Sequence, residues 1–216
     1  MGRLMSAGFD WFSVQTPDED LADDRDTRLW LSKLNQAIFM LINRSKFFPQ
    51  TYSLFGVAGG LGTATMYHSY DKATQKVMFS LRNPWEIFLA DDENGDTDTV
   101  DRLTLMSYKN IKRAFEYDTL DSEVIRMAES AEDRHKEINI LHVVKPNQDY
   151  DPRKRDAKAK KYASWYLDIE HQSIIRRGGY SVMPYSIWAI AKAVGEAYGR
   201  GPGWRALSDI KGLYAT

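Results

Sequence analysis

The chain of 216 residues contains no cysteine. That absence removes disulfides, thiolate metal sites and cysteine nucleophiles together, and it agrees with assembly in a reducing compartment. Long apolar runs are also missing. The stretch "AIFMLI" (37–42) is bracketed by Lys33 and Arg44 and falls far short of the ~20 residues a bilayer-spanning helix needs. No transmembrane helix and no secretory signal are expected, and no membrane partner. An excess of charge of one sign is lacking too, since 29 Lys and Arg stand against 30 Asp and Glu. Attraction to nucleic acid must therefore come from a local patch. Internal repeats and low-complexity tracts are absent.

What remains is close to an average soluble globular protein, with 43% hydrophobic and 27% charged residues. The length suits one domain, or one and a half, with a sizeable core. Aromatics are plentiful at 12%, and they supply large contact areas to a core or to subunit interfaces.

The patterning predicts an α+β fold. An apolar first block, "LMSAGFDWFSV" (4–14), runs into the acidic connector "QTPDEDLADDRDT". From Asp26 or Thr27 as N-cap, Leu29, Trp30, Leu34, Ala37, Ile38, Leu41 and Ile42 recur at helical spacing, which predicts a long helix with one buried face. Pro49 can open a second helix through "QTYSLFGVA", behind which Gly59, Gly60 and Gly62 let the backbone turn or approach a neighbour closely. "TATMYHSY" and "KVMFSL" read as a hairpin, as do "WEIFLA" and "TVDRLTLMS" around Asn94-Gly95. Residues 63–107 thus read as an antiparallel β-meander. Short helices follow Ser107 and Ser122 as N-caps, then a strand "EINILHVVK", a charged loop over 146–161, a hairpin around Glu170-His171, and a strand "YSIWAI". A last helix begins at Pro202 or Gly203, with Trp204, Leu207, Ile210 and Leu213 along one side. It reaches "YAT" without a C-cap, which with the apolar start reads as a segment of a longer chain.

"GVAGGLG" (56–62) lies between a helix and a strand, the reverse of the order a dinucleotide fingerprint needs, and "GRGPG" (199–203) lacks the Lys-Ser/Thr of a P-loop. No nucleotide cofactor is expected. "DDENGDTD" (91–98) fails as a calcium loop: counted from Asp92, the sixth position is Thr97 rather than Gly and the twelfth Leu103 rather than Glu. His68, His135, His142 and His171 fall on separate elements, so no metal site is expected; His171 reads as the cap of a hairpin and His142 as part of a strand. Gly-x-Ser-x-Gly is absent, and no Ser/His/Asp set can be assembled. The basic run Arg153, Lys154, Arg155, Lys158, Lys160 and Lys161, followed by Tyr162, Trp165 and Tyr166, is either a solvated surface loop or a module that tracks a phosphate backbone.

"GEAYGRGPGWRALSDIKGL" (195–213) resembles the signature of the head-to-tail connecting (portal) proteins of short-tailed phages, in which Gly-Glu-x-Tyr-Gly-Arg-x-Pro leads into Ala-Leu-x-Asp-Ile-Lys. Other blocks follow in that family's order: "LMSAGFDWFSV", the helix into "NRSKFF", "GGLGTATMY", "WEIFLADDENGDTDTVDRLT", "ILHVVKP" and "GGYSVMPYSIWAI". The sequence departs at Ser45-Lys46-Phe47, where relatives often carry Ser-Asn-Phe, and its first block is shorter. The resemblance implies a structural, non-enzymatic subunit of a ring, typically of twelve copies, at the portal vertex of the virion. Double-stranded DNA passes through such a ring, which works with terminase, scaffold or capsid, and tail adaptor proteins. Residues 1–216 would be its outer wing; further helices would precede Met1, and the stem, clip and crown would follow Thr216. Glu196, Tyr198, Gly199, Arg200, Gly201, Pro202 and Asp209 are then structural motif residues. The glycines turn the chain out of the wing's strand layer, Glu196 and Arg200 pair with neighbours, and residues 203–216 head toward the stem.

Overall fold

The computed structural model describes residues 11–71 and 74–214. Residues 4–10 of the apolar first block, the tip of the first hairpin at 72–73, and Ala215 and Thr216 lie outside the described residues. The fold is α+β, and the chain divides into two units: one of Met1–Arg82, Ser186–Ala191 and Arg200–Thr216, the other of Asn83–Tyr185 and Lys192–Gly199.

In the first unit, α1 (Glu19–Asp23) and α2 (Arg25–Arg44) are each opened by an aspartate. Asp18 accepts from the N–H groups of Asp20 and Leu21, and Asp24 from that of Thr27 at 2.8 Å; a carboxylate here satisfies orphan donors and faces the positive helix end. The acidic connector is thus partly helical, and α2 starts earlier than its apolar periodicity indicates. Ser45 ends α2 and starts α3 (Phe47–Leu61): its hydroxyl donates to the Ile42 carbonyl at 2.6 Å and accepts from the Phe47 N–H at 3.1 Å. Leu54 and Ala58 of α3 pack with Ala64 and Met66 into a small core rimmed by Phe47, Phe55, Phe79 and Ile190.

Gly62, at φ 97°, closes α3 by donating to the Ala58 carbonyl. The left-handed turn delivers the chain into β1 (Thr63–Asp71), which pairs antiparallel with β2 (Lys76–Leu81) and, on its other side, with β8 (Tyr185–Ala189). Gln50 accepts the Leu81 N–H at 2.6 Å and blunts that end of β2.

The predicted buried face of α2 is only partly covered. Leu29, Trp30 and Leu41 are 51%, 62% and 48% exposed, while Leu34, Ala37, Ile38 and Ile42 are half-buried. α3 and β2 cover one side of the helix and Phe12 stacks on Phe39, which is less surface than the apolar stripe offers.

The second unit is a five-stranded antiparallel sheet, ordered β3 (Ile87–Asp91), β4 (Thr97–Ser107), β5 (Glu137–Pro146), β6 (Tyr162–Asp168), β7 (Ser173–Tyr180). Residues 63–107 are therefore not one meander. Pro84 has no N–H to give a ladder, and Asn83 caps a 3-10 turn over Pro84–Glu86 by accepting from Trp85; a new sheet begins after it. Along β5, Ile138, Ile140, His142 and Val144 are buried at every second position, the period of a sheet with one covered face. On that face α4 (Tyr108–Ala114) and α5 (Ser122–Glu129) contribute Tyr108, Ile111, Val124 and Ala128 to a core shared with Ile138, Ile140 and Ile175. The N-cap of α5 is Asp121 rather than Ser122, its carboxylate accepting from the Glu123 N–H at 2.8 Å. Ser107 holds the N-cap of α4 without a side-chain bond.

Candidate functional site

Two glycine clusters that sequence spacing treats separately meet within the first unit. Of the two roles open to the first cluster, Gly59 and Gly60 take the close approach, inside α3, and only Gly62 leaves the helix in a turn. Against their bare backbone lies α6 (Pro202–Arg205), with Pro202 at the first helical position. A Cβ on Gly201 would sit 2.7 Å from the Gly62 nitrogen, 2.8 Å from the Ala58 oxygen and 2.9 Å from the Gly59 oxygen. One on Gly203 would sit 2.5 Å from the Gly60 oxygen. Gly201 has φ −70°, an ordinary value for any residue. What the position demands is close approach of backbone to backbone, rather than the sharp turn expected from the sequence. The joint is tied further by Ile190 N–H to Gly62 O at 2.8 Å and Arg200 N–H to Ile190 O at 2.7 Å.

The last element is two helices. At Ala206 ψ rises to −3°, and α7 (Leu207–Tyr214) follows. Asp209 lies in its first turn, the favourable end for a carboxylate. The side predicted to be apolar faces solvent: Trp204 is 60% exposed, Ile210 41% and Leu213 77%.

In the second unit, residues 192–199 fasten the outer edge of the sheet. Tyr198 accepts the Leu89 N–H at 3.0 Å and donates to the Ile87 carbonyl at 3.4 Å, occupying both kinds of ladder group on terminal strand β3. Lys192 holds the Asp91 carboxylate at 2.6 Å and the Gly95 carbonyl at 2.7 Å. The Lys192 ammonium, with help from the Thr97 hydroxyl, keeps the Asp91 carboxyl below its ordinary pKa. The Glu196 N–H donates to the Ala193 carbonyl at 3.1 Å, and Gly199 ends the segment.

The six cations of the basic loop differ in their surroundings. Asp151 draws Arg153 to 3.3 Å and Lys154 to 4.0 Å, and Lys161 lies over the Tyr162 ring. The Asn147 side chain donates to the Lys158 and Lys160 carbonyls at 2.8 Å each, folding the loop onto buried Ala159. Arg155 stays exposed. Lys158 alone of the six lines a cleft of about 820 Å³, with Arg113, Arg176 and Arg177.

The hairpin tip "DDENGDTD" is a turn. Asp92 accepts from the N–H groups of Asn94 and Asp96, which lowers its pKa, and Gly95 takes φ 83°. Among the described residues no group of three His, Asp or Glu could hold a metal, and no helix is long and apolar enough to cross a membrane. His142 is buried between Tyr185 Oη at 2.8 Å and Ser164 Oγ at 3.0 Å, stacked on Tyr166. His171 sits on the hairpin it was expected to cap, 2.7 Å from the fully buried Asp168 carboxylate, which also accepts the N–H groups of Glu170 and His171. Asp168 and Lys192 went unmarked in the sequence; both act through partners that only the fold supplies.

The sequence profile of the family described as bacteriophage head to tail connecting protein matches residues 1–216. The portal protein of Salmonella phage epsilon15 is 26% identical over 219 residues, which is 99% of this chain and 38% of that protein. The probable portal protein of Bordetella phage BPP-1 is 24% identical over 218 residues, again 99% of this chain and 38% of that protein. The chain thus spans 38% of the length of these curated relatives. With a profile match that takes in both structural units and the glycine joint at 201–203, the chain belongs to the bacteriophage head to tail connecting proteins.

Proposed function

We propose that the chain is the outer, wing region of a portal subunit, a structural and non-enzymatic part of a ring through which double-stranded DNA enters and leaves the phage head. Its partners on this reading are further copies of itself, the packaging terminase, the capsid or scaffold, and a tail adaptor; its place is the portal vertex of the virion. One observation carries the reading furthest: a joint fitted backbone to backbone at Gly201 and Gly203 launches α6 and α7, whose apolar residues Trp204, Ile210 and Leu213 remain exposed. Exposed apolar residues on α6, which the joint anchors, and on α7, which follows it, suit a continuation into helical packing with neighbouring subunits, as in a stem. The test is negative-stain imaging of the chain extended to the length of its relatives. Closed rings with a central channel are expected, and monomers alone over a wide range of concentration would reject the reading.

A further inference from the structure

The second unit carries opposite charges at the two edges of one sheet. At the β3 edge, the hairpin joining β3 to β4 holds Asp91, Asp92, Glu93, Asp96 and Asp98 within eight residues. Lys192 engages only Asp91. Glu93 and Asp96 are exposed and, among the described residues, form no ion pair. At the β7 edge, the charged lining of the 820 Å³ cleft is Arg113 from the end of α4, Lys158, and Arg176 and Arg177 of β7, against Glu116 and Asp118. None of those four cations has an ion-pair partner among the described residues.

Neither edge is built to extend the sheet by backbone pairing. Tyr198 occupies the Leu89 N–H and the Ile87 carbonyl of β3. In β7, Tyr166 faces Arg176 while Leu167 faces Ile174, so Ile175 is an extra residue. A bulge of this kind bends an edge strand and discourages pairing. It also leaves Ile174 59% exposed beside the two arginines. Contact at these edges falls to side chains.

Four successive antiparallel pairings separate β3 from β7, so the two edge strands run in the same direction, about 19 Å apart at the usual strand spacing. A surface that meets a different, complementary surface on an identical neighbour is heterologous, and it closes into a ring when the rotation divides a full turn. We propose that the acidic β3–β4 hairpin of one copy docks in the Arg113/Lys158/Arg176/Arg177 cleft of the next, forming the lateral contact between adjacent subunits. This rests on the ring reading above and goes beyond it by naming the faces. Duplex DNA is the competing occupant. A second copy is favoured because the chain itself supplies a matching acidic tip whose Glu93 and Asp96 are exposed and form no ion pair among the described residues.

These 216 residues contain no cysteine, so within them the introduced thiols are the only ones. Asp96→Cys and Arg176→Cys, both at exposed positions, are prepared as separate proteins and oxidised alone and mixed. The mixture should give covalent dimers and neither variant alone should; the doubly substituted chain should give a ladder of higher species. Adding Glu93→Lys to the Asp96→Cys protein should cut the mixed yield on the order of 10-fold, as like charges oppose docking, and Arg177→Glu in the partner should restore it. Dimers formed by either variant alone, or no mixed product, overturn the proposal. So does duplex DNA that blocks the cross-link at low salt and loses its binding on Arg176→Glu. Rings seen by microscopy without the mixed cross-link would leave the ring reading standing and this contact rejected. A mixed cross-link without rings would do the reverse.

Discussion

Replacing Gly201 or Gly203 with alanine should destabilise the first unit, while the same change at Gly56, Gly59 or Gly60 should stabilise it. Helix propensity alone predicts gain at every helical site, by roughly 0.5–1 kcal/mol per glycine replaced by alanine. At Gly56, Gly59 and Gly60 a new Cβ would have nothing within 4 Å beyond its own helix, so that gain should appear. At Gly201 the methyl would fall within 3.0 Å of three backbone atoms, and at Gly203 within 2.5 Å of the Gly60 oxygen. Backbone cannot swing aside as a side chain can, and overpacking of this kind costs about 1–3 kcal/mol or more. The two groups of variants should therefore separate by roughly 2–4 kcal/mol, a large share of a typical stability of about 5–15 kcal/mol. Urea denaturation followed by circular dichroism reads this as a midpoint shift at constant slope. If Gly201→Ala and Gly203→Ala match the parent chain while Gly59→Ala and Gly60→Ala lose stability, the reasoning fails. The glycine requirement would then belong to α3 and not to the segment that docks on it.

Tyr198→Phe removes the hydroxyl shared by Leu89 and Ile87 and should cost about 0.5–1.5 kcal/mol, with faster amide exchange at Leu89 as the local readout. Asp168→Asn leaves one acceptor oxygen where the carboxylate serves two N–H groups and the His171 ring. A loss of about 1.5–3 kcal/mol is expected, and an unchanged denaturation midpoint would contradict it. Asp101 has an unpartnered Oδ1, and burial raises its pKa, with Lys145 opposing. A carboxyl raised in the folded state weakens the fold as pH climbs through its ordinary range and beyond. Asp101→Asn should therefore gain up to about 1 kcal/mol at neutral pH and nothing in acid below that range, a difference visible in thermal melts at the two pH values.

Strands and hairpins were legible because their signals are local. Ile138, Ile140, His142 and Val144 alternate in the sequence as they do in the sheet, and Asn94-Gly95 sits where the chain reverses. Element starts were less legible, since Asp24 and Asp121 cap their helices from outside the apolar pattern that announces them. The glycine joint was half visible. Each cluster stood out, but their meeting depends on residues some 140 positions apart in sequence, and nothing in either cluster alone tells a turn from a close approach. The same limit hid Lys192, which finds Asp91 across the fold. α2 shows the converse: periodicity reports which side of a helix is apolar, while whether it is covered depends on what is there to cover it.

The central claim is that this chain builds a closed, heterologous ring, and particle mass measured against concentration tests it most directly. Extended to the length of its relatives, the protein should give one discrete mass, an integral multiple of the subunit, that does not change once assembly has begun. A mass that stays at one subunit at every concentration, or one that grows without limit, would contradict it.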